Sequence, residues 1–457
     1  MKNNTTANTA TTTTAKTKKK STVRHTRATQ RDRSKRTIST PTDAEMAERI
    51  TELVHPATLG QVAYFHQLGL RERTLTLPVM MALMLSMIWR QIGSVCDLAR
   101  IVKSESLLWA KTLPKLTQKA IEFRLRSLPA ELFWRVLTEL LPLMQTRWQQ
   151  RERPLTPELA WAQARYSEVV AVDGSTLDAL LCKVGLLEDA PTAPLAGRMM
   201  ALLDLCSHLP RRIWYEEDAE AHDQRFWPKI LSALQAGSLL IFDLGFTNFQ
   251  MFAQLTQAQV AFITRAKSNL VYQVQRSLLR SAAVHDELVW IGSGDQHQLV
   301  RLVQVLYQGR WYRYISNELD AERLPAHYLV ALYWQRWRIE DAYNTVKRIL
   351  GLAFFWCGAQ NAVEMQLAAT WLLFVVLVDL TDAVAEALNK RFAALSLEMV
   401  YRSLYYFTQA YHRGEATDVV AFLAAHAERY GIIKRRRNRD KPSLLRILMD
   451  LTSLENP

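Results

Sequence analysis

Ser238–Arg265 reads SLLIFDLGFTNFQMFAQLTQAQVAFITR, and its texture decides the class of fold. Leu239 to Phe242 runs without a polar break, as a strand covered on both faces does. Asp243-Leu244-Gly245-Phe246 then turns the chain. Thr247 to Leu255 carries apolar residues at helical spacing, and Val260 to Arg265 reads as another strand. This alternation predicts an α/β sheet. Upstream, Ser167 to Val172 (SEVVAV) is a short β-branched run that ends in Asp173-Gly174-Ser175. Gly197 to Leu205 and Arg211 to Glu217 are extended candidates. Arg225 to Ala236 reads as a helix, with Pro228 tolerated in its first turn. The order β-β-β-α-β-α-β predicts a meander followed by alternating units, a mixed sheet.

Outward from this core the texture changes twice. Residues 44–155 read as an all-α domain of four or five helices, broken at Pro78, Pro114, Pro129 and Pro154. Lys111, Lys115, Lys119, Arg124 and Arg126 make its later half basic, which suits either DNA contact or a solvated face. Residues 269–324 are strand-rich, and Gln296 to Ser316 reads as a hairpin turning at Gln308-Gly309-Arg310. Helices follow. Leu367 to Val378 (LAATWLLFVVLV) is too short to span a bilayer and reads as part of a buried core helix, with Asp379 ending the apolar run.

Composition bounds the class. The 457 residues are 49% hydrophobic and 22% charged, ordinary for a globular chain. The net charge of +13 is uneven. Residues 1–40 hold eleven Lys and Arg against the single acid Asp32, leaving +3 for the rest. Residues 1–43 are Thr-rich and nearly free of apolar side chains, so they are expected to be a disordered basic arm, either phosphate-seeking or a solubilising leader, rather than a secretory signal. A second basic cluster runs from Lys434 to Arg439 within the C-terminal helical region, 401–457. Cys96, Cys182, Cys206 and Cys357 show no metal-binding spacing and fit a reducing, cytoplasmic compartment. No G-x-S-x-G supports a serine hydrolase.

The chemistry-bearing residues fall in three places. Asp173 and Asp243 each follow an apolar strand, where side chains project into the crevice above a sheet. The third place is Ala331–Leu352, ALYWQRWRIEDAYNTVKRILGL. Its Tyr333, Arg336, Glu340 and Lys347 are spaced +3, +4 and +7 and are expected on one helix face. Three converging carboxylates need cations, and hard oxygen ligands suit Mg2+, with Mn2+ able to substitute. Each residue also has an ordinary reading. A strand-end Asp caps a turn, and Arg336 with Glu340 forms a surface pair.

Together these blocks resemble the Asp-Asp-Glu transposases of the insertion-sequence-four family. The resemblance rests on Tyr333-(2)-Arg336-(3)-Glu340-(6)-Lys347, on Asp173-Gly174-Ser175-Thr176, and on Asp243-x-Gly245-Phe246, followed by a strand with the basic end Arg265 and Lys267. It spans roughly 45–420. It implies a ribonuclease H-like mixed-sheet core at 160–268 and 325–400, the β-rich insertion at 269–324, and end recognition by the N-terminal helical domain. It implies that Asp173, Asp243 and Glu340 hold the Mg2+ ions. It implies that Tyr333, Arg336, Lys347 and Arg265 contact DNA, and that Trp290 or Trp311 stacks on a flipped base. The expected activity is cut-and-paste DNA transposition on terminal inverted repeats and target DNA, by a homodimer. Ser316-Asn317-Glu318-Leu319 departs from the Thr-Asn-Leu of many relatives. A metal-dependent nuclease that does not join ends, and a non-catalytic DNA-binding descendant, remain the alternatives.

Overall fold

The structure is a computed structural model that describes residues 44–453, apart from residues 72, 179, 182–194, 219–220, 247, 295–296, 353 and 435–443. The basic arm, the cluster beyond Lys434, Cys182 and Thr247 lie outside the described residues. Six helices lead, one more than the sequence suggests: α1 Ala44–Gly60, α2 Val62–Gln67, α3 Leu77–Trp89, α4 Val95–Ile101, α5 Gln118–Ser127 and α6 Glu131–Gln149. The extra element arises because Gln61 interrupts an otherwise continuous pattern; it has a near-helical backbone and separates α1 from α2. Helix α7 (Pro157–Gln163) follows.

Nine strands form one sheet: β1 Val169–Asp178, β2 Leu195–Asp204, β3 Pro210–Glu216, β4 Leu239–Phe242, β5 Ala261–Arg265, β6 Tyr272–Arg280, β7 Val284–Ile291, β8 Gln298–Tyr307 and β9 Arg310–Ser316. Their spatial order is β3-β2-β1-β4-β5-β9-β8-β7-β6. Strands β1, β4 and β5 run parallel, while β2 and β3 form an antiparallel meander on β1. The strands of the β-rich segment are not a separate sheet. β9 pairs antiparallel with β5, with Tyr314 opposite Arg265, so the hairpins lengthen the same sheet.

Alternation sorts the core strands into two faces. Val170, Val172, Leu240 and Phe242 pack with Phe226, Ile230, Phe252 and Leu255 of the segments around α8 (Trp227–Ala233) and α9 (Phe249–Gln257). Val169, Ala171, Leu239 and Ile241 pack with Leu329, Leu332 and Tyr333 of α10 (Ala326–Gln335). Both faces are covered, which explains the unbroken apolar runs.

Helix α11 (Trp337–Asn344) continues from α10, and α12 (Gln360–Ala387) follows. α12 is long and apolar enough to cross a membrane, yet 94% of its most apolar window is buried inside the fold. Asp379 ends the apolar run but not the helix, which continues eight residues further. Asp379 and Asp382 are buried but partnered. Asp379 accepts from Arg49 (2.7 Å), Arg147 (3.1 Å) and Arg151 (2.6 Å), and Asp382 accepts from Arg151 (3.1 Å) and Arg153 (2.6 Å). The arginines belong to α1, to α6 and to the segment after it, so this network bolts the N-terminal helices to α12. Helices α13 (Leu397–His412), α14 (Val419–Ala425) and α15 (Leu444–Ser453) complete the described chain, and Leu448 of α15 joins the core beneath α10.

Candidate acid site

Asp173 and Asp243 follow the last paired rung of two adjacent parallel strands, Val172 opposite Phe242. By alternation each points to the face covered by α10 and α11. β1 itself continues through Asp173 to Asp178, paired with β2, so the sequence reading of a strand ending before Asp173 is too short. The parallel partner ends there, and the β1–β2 ribbon carries on alone.

The segment carrying the other residues is not one regular helix. The backbone tightens at Arg336, where Arg336 N–H bonds to Tyr333 O and Ile339 N–H to Arg336 O. It then widens into a π turn over Thr345–Ile349. The expected single 3.6-residue face is therefore distorted at both places, and contacts set the outcome. Arg336 Nη1 donates to Asp173 Oδ2 at 2.8 Å and stands 3.9 Å from Glu340 Oε1. These two carboxylate oxygens are thus no further apart than the sum of those contacts. The Tyr333 hydroxyl donates to Asp243 Oδ1 at 3.2 Å. Lys347 Nζ, on the π turn, donates to Thr176 O, farther along β1.

The structure brings Asp173, Arg336 and Glu340 together, with Asp243 and Tyr333 beside them. It does not form the closed three-acid cage that the sequence suggests. Among the described residues, no three His, Cys, Asp or Glu side chains are grouped so that they could hold a metal ion. The reason is visible: Arg336 occupies the space between Asp173 and Glu340, while the Glu340 side chain is 47% exposed and leans outward. Burial, then the charges of Glu340 and Asp243, push the Asp173 carboxyl up to about 7, against the pull of Arg336. Burial, then Asp243, raises the Tyr333 phenol well above its ordinary value.

Arg265 sits at the end of β5 in the row of Asp243, with its guanidinium 5.7 Å from the Tyr312 ring. Trp290 and Trp311 occupy opposite faces of the sheet, opposite Leu299 and Leu306 of β8 respectively. Trp290 stacks on His297 (4.6 Å) and Trp311 lies against His285 (4.7 Å). Their ring partners belong to the hairpins and not to the acid site. Sequence reasoning missed Trp337, which is 55% exposed beside Arg336, and Trp334, which is 38% exposed and lies against Tyr307 and Tyr312 of the β8–β9 hairpin. The Arg336 guanidinium lies 5.1 Å from the Trp337 ring. Large aromatics flanking Arg336 on a half-polar helix were a usable signal. Tyr343 was missed too: its hydroxyl donates to Asp173 O (2.5 Å) and accepts from Ala201 N (2.9 Å), tying α11 to β1 and β2.

Residues 190–375 match the family described as Transposase DDE domain, a span that contains Asp243 and Glu340 and begins after Asp173. The Sinorhizobium fredii protein y4zB, described as a transposase, is 28% identical over 191 residues, 39% of this chain and 52% of that protein. A Geobacillus stearothermophilus protein assigned as transposase for insertion sequence element IS5377 is 24% identical over 183 residues, 38% of this chain and 47% of that protein. The chain spans about half the length of these curated relatives. Among solved structures, the cryo-EM synaptic complex of piggyBac transposase with hairpin DNA is a distant likeness, with a TM-score of 0.38 and 11% identity over 89% of this chain and 86% of that one.

Proposed function

We propose that the chain is an Asp-Asp-Glu DNA transposase of the insertion-sequence-four type, built on a ribonuclease H-like core, that cuts and joins DNA at the Asp173, Asp243 and Glu340 site. One observation carries the reading. Asp173 and Glu340 share one guanidinium nitrogen, and Asp243 follows the neighbouring parallel strand, held by Tyr333. The strand order β3-β2-β1-β4-β5, with the acids at the ends of the paired parallel rungs, supports the core assignment.

The donor set of Asp173, Asp243 and Glu340 is hard carboxylate oxygen, so the residues fit Mg2+ or Mn2+. A bound pair of such ions would supply an activated nucleophilic oxygen and a stabilised leaving oxygen at phosphorus. The chain does the rest. Glu340, exposed and 3.9 Å from Arg336, would reach the space between the acids once Arg336 leaves it. Arg336, once released from Asp173, presents a planar fork suited to phosphate. Lys347 and Arg265 are point and fork cations along the same edge. Tyr333 and Tyr343 hold Asp243 and the Asp173 backbone in place. Trp337, exposed beside Arg336, offers a flat face for a base nearer the acids than Trp290 or Trp311. The N-terminal domain binds the element's end and the active complex is a homodimer, since two DNA ends must be paired.

A second reading, a DNA-binding descendant without catalysis, has one observation in its favour: among the described residues, the acids do not stand as a finished metal cage. A strand-transfer assay on a labelled duplex of the DNA flanking the gene separates the readings. Joined products support transposition. Cleavage without joining indicates a nuclease, and binding alone indicates the non-catalytic descendant.

A further inference from the structure

Gly174, directly after Asp173, has almost no space behind it. A Cβ there would collide with Asp223 Oδ1 and stand 3.0 Å from Arg198 Nη2 and 3.1 Å from Arg198 Nε. Alternation puts these groups on the face opposite Arg336. Gly174 pairs with Met200 and Thr176 with Arg198, whereas Asp173 pairs with Ala201 on the α11 side. Arg198 Nε donates to Asp223 Oδ1 (2.6 Å), Nη2 lies 2.5 Å from the same oxygen, and Nη1 reaches Thr176 Oγ1 (3.4 Å). Asp223 opens the 3-10 turn Asp223–Phe226, whose Phe226 is anchored in the core. The ion pair is therefore wedged between a fixed turn and the glycine backbone. That backbone acts on the acid: Gly174 N–H donates to Asp173 Oδ1 at 2.8 Å.

We infer that the Arg198–Asp223 pair is a positioning element for the acid site, fixing the Gly174 peptide and through it the direction of the Asp173 carboxylate. The inference rests on the reading of Asp173 as a metal-holding acid. The pair's role resembles that of the hydrogen-bonded outer shell around metal ligands, whose loss typically weakens metal affinity about 10–100-fold. A side chain at Gly174 would push the ends of the Asp223 and Arg198 side chains out of their present positions.

The test titrates Mn2+ alone into the full chain and reads the free ion by electron paramagnetic resonance, with melting temperature followed in parallel. Arg198→Gln and Asp223→Asn are expected to weaken Mn2+ binding about tenfold at nearly unchanged melting temperature. Gly174→Ala, which keeps both charges, is expected to weaken it as well. In an Asp223→Ala background the same alanine is expected to cost less than about twofold more, because the clashing oxygen is gone. Wild-type Mn2+ binding in folded Gly174→Ala, or in both pair variants, overturns the inference while leaving the acid site standing if Asp173→Asn has lost binding. Wild-type binding in Asp173→Asn itself sinks the acid-site reading and this inference with it.

Discussion

At the scale of single residues, Arg336 holds together what would otherwise repel. With Asp173 at 2.8 Å and Glu340 at 3.9 Å, it stands in for a cation between two carboxylates. Asp173→Asn, Asp243→Asn and Glu340→Gln are each expected to lower DNA cleavage by at least about 10³-fold, with duplex affinity within about threefold of wild type by gel shift. Tyr333→Phe keeps the ring against Tyr314 (5.1 Å between centroids) and removes only the bond to Asp243. It should slow cleavage about tenfold without changing the melting temperature, read by single-turnover kinetics and thermal unfolding. The nearness of Tyr333, Arg336 and Glu340 was legible in their +3 and +4 spacing, although the tightened backbone at Arg336 and the contacts to Asp173 and Asp243 set the final arrangement. Tyr343 was not. Its partner is a backbone carbonyl 170 positions away, and no local pattern announces such a bond.

At the scale of elements, strand and helix types were readable from apolar runs and periodicity, but their irregularities were not. The tightened backbone at Arg336 and the π turn at Thr345–Ile349 follow from docking onto β1, which sequence spacing does not encode. Helix α12 makes the same point. Its apolar run seemed to stop at Asp379 because the charge looked incompatible with burial. Arg49, Arg147 and Arg151, all distant in sequence, remove that objection. Burial raises the Asp379 carboxyl, but Arg151, Arg49 and Arg147 together hold it below its ordinary value. The sign follows: its stabilisation is present above the unfolded-state pKa and is lost as pH falls through the lower folded value. Asp379→Asn should therefore cost about 3–5 kcal/mol near neutral pH, leaving several arginines short of a partner. The gap to wild type in urea unfolding should narrow below about pH 4.

At the scale of the whole molecule, the segment between Asp243 and Glu340 was readable as strand-rich but not as a continuation of the core sheet. The pairing of β9 with β5 joins residues some fifty positions apart, Tyr314 opposite Arg265, and register across such a gap has no sequence signature. The N-terminal helices likewise carry a groove of about 700 Å³ lined by Arg71, Arg73, Lys115 and Arg124, with Phe123 exposed at its rim. If this groove tracks a DNA backbone, Arg73→Glu with Lys115→Glu should weaken duplex binding for every sequence. The salt dependence should flatten by about one unit of slope for each phosphate no longer neutralised. The account as a whole stands on the acids of β1, β4 and α11 acting as one metal-dependent centre. Its most direct test is Mg2+-dependent cleavage of the DNA flanking the gene, compared between the wild-type chain and Asp173→Asn. The account predicts end-specific cuts in the wild type, dependent on Mg2+, and none in the variant. Equal cutting by the two proteins would contradict it.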